Sequence, residues 1–287
     1  MKFQNSEAQI FIPDGKSEAE AFRRITHLGI GAHQDDVEIM AWHGVLNCFH
    51  SDDRWFGAVT STNGSGSPRA GKYASYSDAE MAALRRREQE KAAVVGNYGF
   101  LIQLNHSSGV VKNVQDPAFK NDLITVLSAC RPSVVYTHNL ADKHDTHLAV
   151  GMTVVQAIRA LPAEQRPGAL YGCEVWRNLD WLLDEDKVPL DVTGHENVSA
   201  ALIGVYDSQV AGGKRYDLAT PGRRRANATY FQSHDTDEAE MLCFAMDLTP
   251  LIKDVALDVA GFVLRHIDNF RRDVENKIRK YSAPQAA

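Results

Sequence analysis

The stretch LGIGAHQDDVE, Leu28 to Glu38, is the part of the sequence that best indicates the fold of this chain. A short apolar run with two glycines ends in a histidine and two adjacent carboxylates, and a helical spacing of apolar residues follows at once. The pattern predicts a buried strand that brings His33, Asp35 and Asp36 to its carboxyl end, where a helix begins. Ligands bind at that edge in open α/β sheets. His33 and Asp36 are suitable ligands for a divalent metal, which leaves Asp35 free for proton transfer.

The same acids also fit a helix-capping arrangement. Asp35 and Glu38 have the spacing of an Asp-x-x-Glu cap, and acids are favoured at the positive end of a helix. Taken alone, the stretch favours the cap. Whether it is a cap or a metal site therefore depends on what the rest of the chain supplies.

The length and composition indicate a globular protein. The chain has 287 residues, 44% of them hydrophobic, which suffices for one large α/β domain with a substantial core. The net charge of −6 offers no general attraction to nucleic acid or anionic lipid, so we expect neither as a partner. The four cysteines lie in apolar contexts without a CxxC pair, which predicts buried free thiols.

No targeting or membrane segment is evident. Residues 1–24 lack the apolar core of a signal peptide, and no apolar run approaches the roughly 20 residues that span a bilayer. We therefore expect no membrane span and a cytoplasmic location.

Predicted strands and helices alternate from residue 26 to residue 175. This alternation predicts an α/β fold with a mainly parallel, doubly wound sheet and helices on both faces. The predicted strands are 26–32, 56–60, 101–104, 133–137 and 170–175, and the predicted helices are 37–49, 77–98, 122–130 and 147–161.

The pattern loosens beyond residue 176. We predict a charged, turn-rich segment at 184–197, a helix at 198–209 and a polar segment at 212–234. A long amphipathic helix at 250–280 either packs on its own domain or contacts a second subunit, in which case the chain is a homo-oligomer. Residues 282–287 are expected to fray. We interpret 1–287 as a single domain with a core at about 26–175 and a C-terminal elaboration at about 176–287.

A second cluster follows the fourth predicted strand. His144 and His147 stand three residues apart where the chain enters a helix, so both can face one side. Their position mirrors that of the first stretch, and two such edges can converge on one crevice. Together they supply His33, Asp36 and His147, three N/O ligands with an open position, which is the composition of a catalytic zinc site. This convergence favours the metal site over the cap.

The motifs resemble those of the PIG-L/LmbE-like family of zinc-dependent N-deacetylases, which act on N-acetylglucosamine-containing lipids, thiols and related amino sugars. The family motif Ala-His-Pro-Asp-Asp corresponds to residues 32–36, and His-Pro-Asp-His corresponds to residues 144–147. A family Arg-x-x-Glu matches Arg87 and Glu90. The resemblance implies a Rossmann-like fold and an N-acetylated amino-sugar substrate.

The resemblance also implies roles for single residues. His33, Asp36 and His147 would bind Zn²⁺ or another divalent metal. Asp35 would be the general base, His144 would stabilise or protonate the reacting amide, and Arg87 would hold the substrate; these six residues form the predicted site.

Three departures from the family pattern leave questions open. Gln34 replaces a proline that is not a ligand. Thr146 replaces an aspartate that orients the catalytic histidine, so Asp142 or Asp145 takes that role or His144 titrates differently. Ser107-Ser108-Gly109 stands where the family commonly has an acid, which leaves the substrate identity open.

Other motifs receive structural interpretations. Gly29-x-Gly31 lacks the rest of a dinucleotide fingerprint, and residues 66–72 resemble a P-loop but are followed by Tyr73 instead of Ser or Thr. We interpret that loop as a border of the substrate cleft. His138 is interpreted as a hydrogen-bonded wall residue, and residues 223–225, three consecutive arginines, as a solvated loop or, alternatively, an anion-recognition element.

Two classes of function remain. The first is a metal-dependent hydrolase that removes an acetyl or other acyl group from an amino-sugar compound or, as an amidase, from a non-sugar conjugate. The second is a non-catalytic metal- or ligand-binding protein on the same scaffold. A structural zinc site needs no spare carboxylate, so Asp35 favours the enzyme.

Overall fold

The structure is a computed structural model that describes residues 1–282. The predicted fraying of residues 282–287 lies outside these residues except for Ser282. Eight strands within the described part form one sheet. The strands are β1 Gln9–Phe11, β2 Ile25–Gly31, β3 Trp55–Thr62, β4 Phe100–His106, β5 Val134–His138, β6 Ala169–Cys173, β7 Lys187–Asp191 and β8 Leu242–Asp247.

The sheet has the order β1-β4-β3-β2-β5-β6-β8-β7. The five strands from β4 to β6 in this order are parallel, whereas β1, β8 and β7 pair antiparallel with their neighbours. β2 lies between β3 and β5, so the chain winds outward from β2 in both directions. The predicted mainly parallel, doubly wound sheet is confirmed.

Helices cover both faces of the sheet and enclose two apolar cores. The helices are α1 Glu18–Arg23, α2 Asp36–Met40, α3 Trp42–Cys48, α4 Asp78–Val95, α5 Ser108–Lys112, α6 Ala118–Cys130, α7 Asp145–Arg159, α8 Glu196–Gly204, α9 Asp207–Val210, α10 Tyr216–Thr229, α11 Thr249–Lys253 and α12 Val259–Ser282. The first core lies under α1, α6, α7, α11 and α12, and the second lies under α2, α3, α4 and α8.

The two glycines of the opening stretch let α2 lie directly against β2. A Cβ atom at Gly29 would come within 2.9 Å of Val37, and one at Gly31 would come within 3.0 Å of Asp36. The helix predicted at 37–49 is divided at Ala41, whose backbone leaves the helical region with φ −108° and ψ 20°. The break turns α3 away from the sheet edge while α2 keeps Asp36 there.

The C-terminal part is more regular than predicted. The segment at 184–197 contains β7, and β8 was not predicted; both join the central sheet. The single helix predicted at 198–209 is two helices, α8 and α9, and the helix at 250–280 is α11 and α12. The second break arises because the Asp258 carboxylate accepts the Gly261 N–H at 2.6 Å and so caps a new helix start.

The interpretation of residues 223–225 as a solvated loop is wrong, because they lie within α10. Arg224 is 2% exposed and donates to the carbonyl oxygens of Glu38 and Ile39 at 3.0 Å. Arg223 donates to the Val175 carbonyl, and Arg225 pairs with Glu196. The three arginines therefore make contacts within the fold.

Two composition-based predictions can be compared with the fold. The four cysteines are buried and free, as predicted. Among residues 1–282, no helix combines the length and apolarity needed to cross a bilayer.

Candidate metal centre and cleft

The candidate site lies at the carboxyl end of β2, the point where the strand order reverses direction. β2 ends at Gly31, and the turn into α2 carries His33, Asp35 and Asp36. β5 lies beside β2 and leads into the segment with His144 and His147. Because both strands end at the same edge, the two predicted clusters meet there.

Three side chains of the predicted metal set point their ligand atoms at one another. Asp36 Oδ2 lies 3.2 Å from His33 Nδ1 and 3.4 Å from His147 Nε2, and the two nitrogens are 3.2 Å apart. Ligand atoms around a tetrahedral zinc ion are separated by about 3.3–3.6 Å, as follows from bond lengths of roughly 2.0–2.2 Å. A single proton shared among the two imidazole nitrogens and the carboxylate oxygen cannot form hydrogen bonds across all three of these contacts at once. The donor set and its spacing therefore fit a divalent metal.

Asp142 supports the set from behind. Its Oδ2 lies 3.4 Å from His147 Nδ1 and accepts the Trp176 N–H at 3.1 Å. A carboxylate on the far nitrogen of a ligating histidine fixes the tautomer and orientation of the ring. Asp145 is exposed and lies outside this network. Neither Asp142 nor Asp145 orients the ring of His144 as the family aspartate at position 146 does: Asp142 contacts the ring of His147, and the Nδ1 atom of His144 has no hydrogen-bond partner in the described structure.

The charges around the set favour a cation. Burial alone would raise the pKa of Asp36, but His147 and His138 hold that pKa well below its ordinary value. Burial lowers the pKa of His147, but Asp36 and Asp142 outweigh it and raise that pKa overall. Two buried carboxylates thus surround a position where a positive charge is stabilised.

His138 forms the wall of the site. Its ring stacks on that of His147 with centroids 3.8 Å apart, and its Nε2 accepts the Ala32 N–H at 2.9 Å. This nitrogen lies 3.4 Å from Asp36 Oδ2, but its lone pair is directed at the backbone. Burial lowers the pKa of His138 to about 4, so the ring is neutral. The geometry agrees with a hydrogen-bonded wall residue.

Asp35 takes the N-cap position of α2 without capping it. Its side chain makes no hydrogen bond to the first turn and instead accepts one from Arg85 at 3.0 Å. Its backbone has φ 91°, which is strained for a residue with a side chain. Burial raises the pKa of Asp35 to about 7, with Asp36 adding to this effect and Arg85 opposing it. Glu38 is also no cap, because its carboxylate accepts hydrogen bonds elsewhere.

The structure does not bring Arg87 to the site. Arg87 is exposed on the outer face of α4, whereas Arg85, two residues earlier, is 1% exposed and contacts Asp35. The alternative register of the Arg-x-x-Glu motif, Arg85 with Glu88, would have identified the inward-facing arginine. The helical spacing of the buried side chains would have given the same register; these are Met81, Arg85, Glu88, Gln89 and Ala92.

A cleft of about 410 Å³ opens over the metal set. His144 lines it, with its ring centroid 5.1 Å from that of His33 and 4.5 Å from that of His147. Burial, together with the neighbouring imidazoles, lowers the pKa of His144, and its Nδ1 has no hydrogen-bond partner in the described structure. Residues 63–68 form one border, as expected for the Gly/Ser-rich loop.

The opposite wall of the cleft is aromatic. Trp176 follows β6 and stacks near His144 at 6.5 Å, and Tyr216 at the start of α10 meets Trp176 edge to face at 6.3 Å. Both residues lie beyond the predicted core, and no sequence signal marked either as part of the site. The C-terminal part therefore supplies a wall of the cleft.

A doubly wound α/β sheet thus carries a His/Asp/His set at the carboxyl edge of its parallel strands. A profile of the PIG-L family, described as GlcNAc-PI de-N-acetylase, matches residues 28–158. The chain thus carries a PIG-L family domain over these residues, which confirms the resemblance. No curated protein sequence matches the chain.

Solved structures share the fold at low sequence identity. An N,N'-diacetylchitobiose deacetylase from Pyrococcus horikoshii has a TM-score of 0.61 and 14% identity, covering 86% of this chain and 92% of its own. A conserved protein from Thermus thermophilus has a TM-score of 0.56 and 17% identity, and the match covers 77% of this chain and 94% of its own. A 4-carboxy-2-hydroxymuconate hydratase from Pseudomonas putida has a TM-score of 0.56 and 16% identity, and the match covers 78% of this chain and 95% of its own. Because a hydratase shares the fold, the fold alone does not select the reaction.

Proposed function

We propose that this chain is a zinc-dependent N-deacetylase that removes an acetyl or related acyl group from an amino-sugar-containing small molecule. The observation that carries the proposal is the convergence of His33, Asp36 and His147 within 3.2–3.4 Å beside the spare carboxylate of Asp35. The PIG-L domain and the deacetylases among the structural neighbours support the reaction class.

The residues of the site have separate roles in amide hydrolysis. A zinc ion held by the three ligands would polarise the acyl carbonyl and lower the pKa of the attacking water. Asp35 takes one proton from that water as its oxygen attacks the acyl carbon. The carbon–nitrogen bond then breaks, and Asp35 delivers the proton to the departing nitrogen. The products are a free amine and a carboxylic acid, which keeps the second proton of the water until it ionises to the carboxylate in solvent.

Two further residues prepare this chemistry. Arg85 fixes the Asp35 carboxylate at 3.0 Å and keeps it directed into the cleft. His144 is neutral and half-buried, and a ring N–H there can donate to the acyl oxygen as negative charge develops on it. We assign the inward-facing arginine role to Arg85 instead of Arg87, since only Arg85 reaches the cleft.

The aromatic wall supports a sugar as the substrate. Trp176 and Tyr216 add aromatic surface to a cleft that is otherwise lined mainly by hydroxyl, amide and charged groups, and Lys214 Nζ lies 4.7 Å over the Trp176 ring. Such a surface suits the apolar face of a pyranose, whose hydroxyls can bond to the polar lining. The diacetylchitobiose deacetylase among the structural neighbours acts on a related sugar.

Two assays on a panel of compounds test the proposal: acetate release from N-acetylated members and hydration of an unsaturated member. The panel contains amino-sugar glycosides, non-sugar amides and an enol or enoate substrate of hydratases, each assayed with zinc-loaded and metal-stripped protein. We expect zinc-dependent release from the glycosides only. Release from non-sugar amides would make the protein a general amidase, and hydration without acetate release would favour the reaction of the Pseudomonas neighbour.

The non-catalytic alternative gives a different result. A metal- or ligand-binding protein on this scaffold would bind zinc at the His33, Asp36 and His147 set but release no acetate from any panel member. Zinc binding with no turnover across the panel would therefore replace the enzyme proposal by this one.

A further inference from the structure

A second cavity adjoins the aromatic wall of the cleft. Its volume is about 130 Å³, and it lies between the end of α2, the segment after β6 and α10. Trp176 and Tyr216 line both this cavity and the cleft over the metal set, and no other described residue does so. Apart from Ile39, its lining comes from the C-terminal part, outside the residues that the family profile matches. The cavity is therefore a feature of this chain in addition to the proposed site.

Two arginines line the cavity, and neither forms an ion pair with a carboxylate in the described structure. Arg224 is 2% exposed, and its guanidinium donates only to neutral oxygens, two carbonyls of α2 and the Ser199 hydroxyl. Its Nε has no hydrogen-bond partner among residues 1–282. Arg223 donates to the Val175 carbonyl, which is also neutral. Burying a guanidinium is costly, and buried cations are normally paired with an anion.

The lining itself does not supply the missing counter-ion. Glu174 also lines the cavity, but both oxygens of its carboxylate already accept hydrogen bonds, from the Asn227 side chain and from two backbone N–H groups. Burial raises the pKa of the Cys243 thiol, so the thiol is neutral. Two guanidinium groups against one carboxylate leave the lining with a net positive charge even when Glu174 is ionised.

The rest of the lining is mainly apolar. Ile39, Val175 and Ala219 contribute aliphatic surface, and Trp176 and Tyr216 contribute aromatic rings. An apolar cavity of roughly 150 Å³ holds one benzene molecule, so a ligand of about six non-hydrogen atoms suits this one. A carboxylic acid of about four carbons has that size, and it combines a negative charge with an apolar chain.

We propose that this cavity binds a short-chain carboxylate, with its charged group at Arg223 and Arg224 and its chain against the apolar lining. The Nε of Arg224 then donates a charge-assisted hydrogen bond, and the buried guanidinium acquires its counter-ion. Binding itself does not depend on the proposed function. A short-chain acid is also what N-deacylation releases, so only this origin of the ligand rests on that function.

An NMR titration of the full-length protein tests the inference. The indole N–H signal of Trp176, assigned from its loss in Trp176→Phe, reports on occupancy because this residue lines the cavity. Butyrate is compared at constant ionic strength with butyramide, which has a similar shape but no charge. We expect at least about 10-fold tighter binding of butyrate, in zinc-loaded and in chelator-treated protein alike. The chelator-treated sample separates this cavity from the metal set, where a carboxylate would bind through zinc.

Variants in α10 locate the bound carboxylate. Arg223→Met should reduce the preference for butyrate by about 5–10-fold, and Ala219→Leu, which fills the cavity, should weaken butyrate binding by about 10-fold or more. Arg225→Met and Ala226→Leu are the matched controls on the same helix, because Arg225 pairs with Glu196 and Ala226 is exposed, and neither lines the cavity. Both controls should lie within about twofold of wild type.

Equal affinity for butyrate and butyramide would overturn the inference. Binding that disappears with zinc would assign the carboxylate to the metal set, and unchanged binding in Ala219→Leu would place it elsewhere on the protein; either result also overturns the inference. Carboxylate binding in the cavity with no acetate release from the panel would retain this site and reject the deacetylase. Acetate release without carboxylate binding in the cavity would do the reverse.

Discussion

Arg85 and Asp35 form a buried ion pair with 3.0 Å between the guanidinium nitrogen and the carboxylate oxygen, and their exposed fractions are 1% and 5%. The pair joins the middle of α4 to the turn after β2. It directs the Asp35 carboxylate away from the helix it precedes and towards the cleft. Two neighbouring aspartates are thereby separated, with Asp36 facing the histidines and Asp35 facing an arginine.

The two aspartates should respond differently to substitution. We expect Asp36→Asn to lose zinc and activity together, because it removes a ligand. Asp35→Asn should retain zinc but lose about 10²–10⁴-fold in turnover, the usual contribution of a general base. Zinc content by elemental analysis and the initial rate of acetate release, measured on the best substrate of the panel, separate the two effects. A near wild-type rate in Asp35→Asn would contradict the proposed mechanism.

Arg85 and Arg87 form a natural pair of test and control on one helix. Arg85→Met removes the cation that fixes the buried carboxylate of Asp35 and that lies 3.8 Å from the carboxylate of Glu88. We expect activity to fall by about 10²-fold or more and unfolding free energy to fall by roughly 3 kcal/mol. Arg87→Met should change the unfolding free energy by less than about 0.5 kcal/mol, since the residue is exposed. Urea unfolding measures the stability of the two variants, and acetate release measures their activity. Equal losses of activity in Arg85→Met and Arg87→Met would restore Arg87 to the site.

Asp142 and Asp145 test which acid supports the metal set. Asp142→Asn replaces the carboxylate beside His147 Nδ1 with a neutral amide. We expect zinc affinity to weaken by about 10–100-fold, the usual effect of losing such a partner. Competition with a chelator of known affinity measures the change. Asp145→Asn, at an exposed position three residues away, should leave the affinity unchanged; weakening there alone would reverse the assignment.

Tyr206 links the C-terminal part to the α2 region. Its hydroxyl donates to the buried carboxylate of Glu38 at 2.7 Å. Tyr206→Phe leaves that carboxylate short of one donor, and we expect a loss of about 1–3 kcal/mol in unfolding free energy. Tyr230→Phe, at a position that is 79% exposed, is the control and should lie within about 0.5 kcal/mol of wild type. Urea titration measures the unfolding free energy of both variants. Similar values for the two would mean that the Tyr206–Glu38 hydrogen bond does not contribute to stability.

The core of the fold could be predicted because its signals are local. Buried parallel strands are short apolar runs, and the helices between them carry their own periodicity, so β2 to β6 were found in order. The antiparallel strands β7 and β8 were not, since their pairing depends on residues far apart in sequence. Likewise, Arg224 and its neighbours have the composition of a solvated segment. Arg224 is buried because it donates to the carbonyl groups of Glu38 and Ile39 and to the Ser199 hydroxyl, all of which are distant in sequence.

The site was predictable only where its chemistry is concentrated in motifs. The placement of His33, Asp36 and His147 follows from two strand ends at one sheet edge, which the alternation of elements already implies. The cleft wall could not be predicted, because Trp176 and Tyr216 stand in segments without periodicity. Arg87 was chosen over Arg85 because three consecutive arginines leave the register ambiguous until the buried face of α4 is known.

The contact of Tyr206 with Glu38 joins the C-terminal part of the chain to the helix that follows β2. The segments that shape the cleft mouth and the segment that carries the proposed metal ligands are joined by buried contacts, those of Tyr206 and Arg224 among them. Trp176 and Tyr216 take no part in these contacts, so the shape of the cleft mouth can be altered while the contacts stay in place. The proposed metal set and the cleft wall can thus be changed separately, although both belong to one chain.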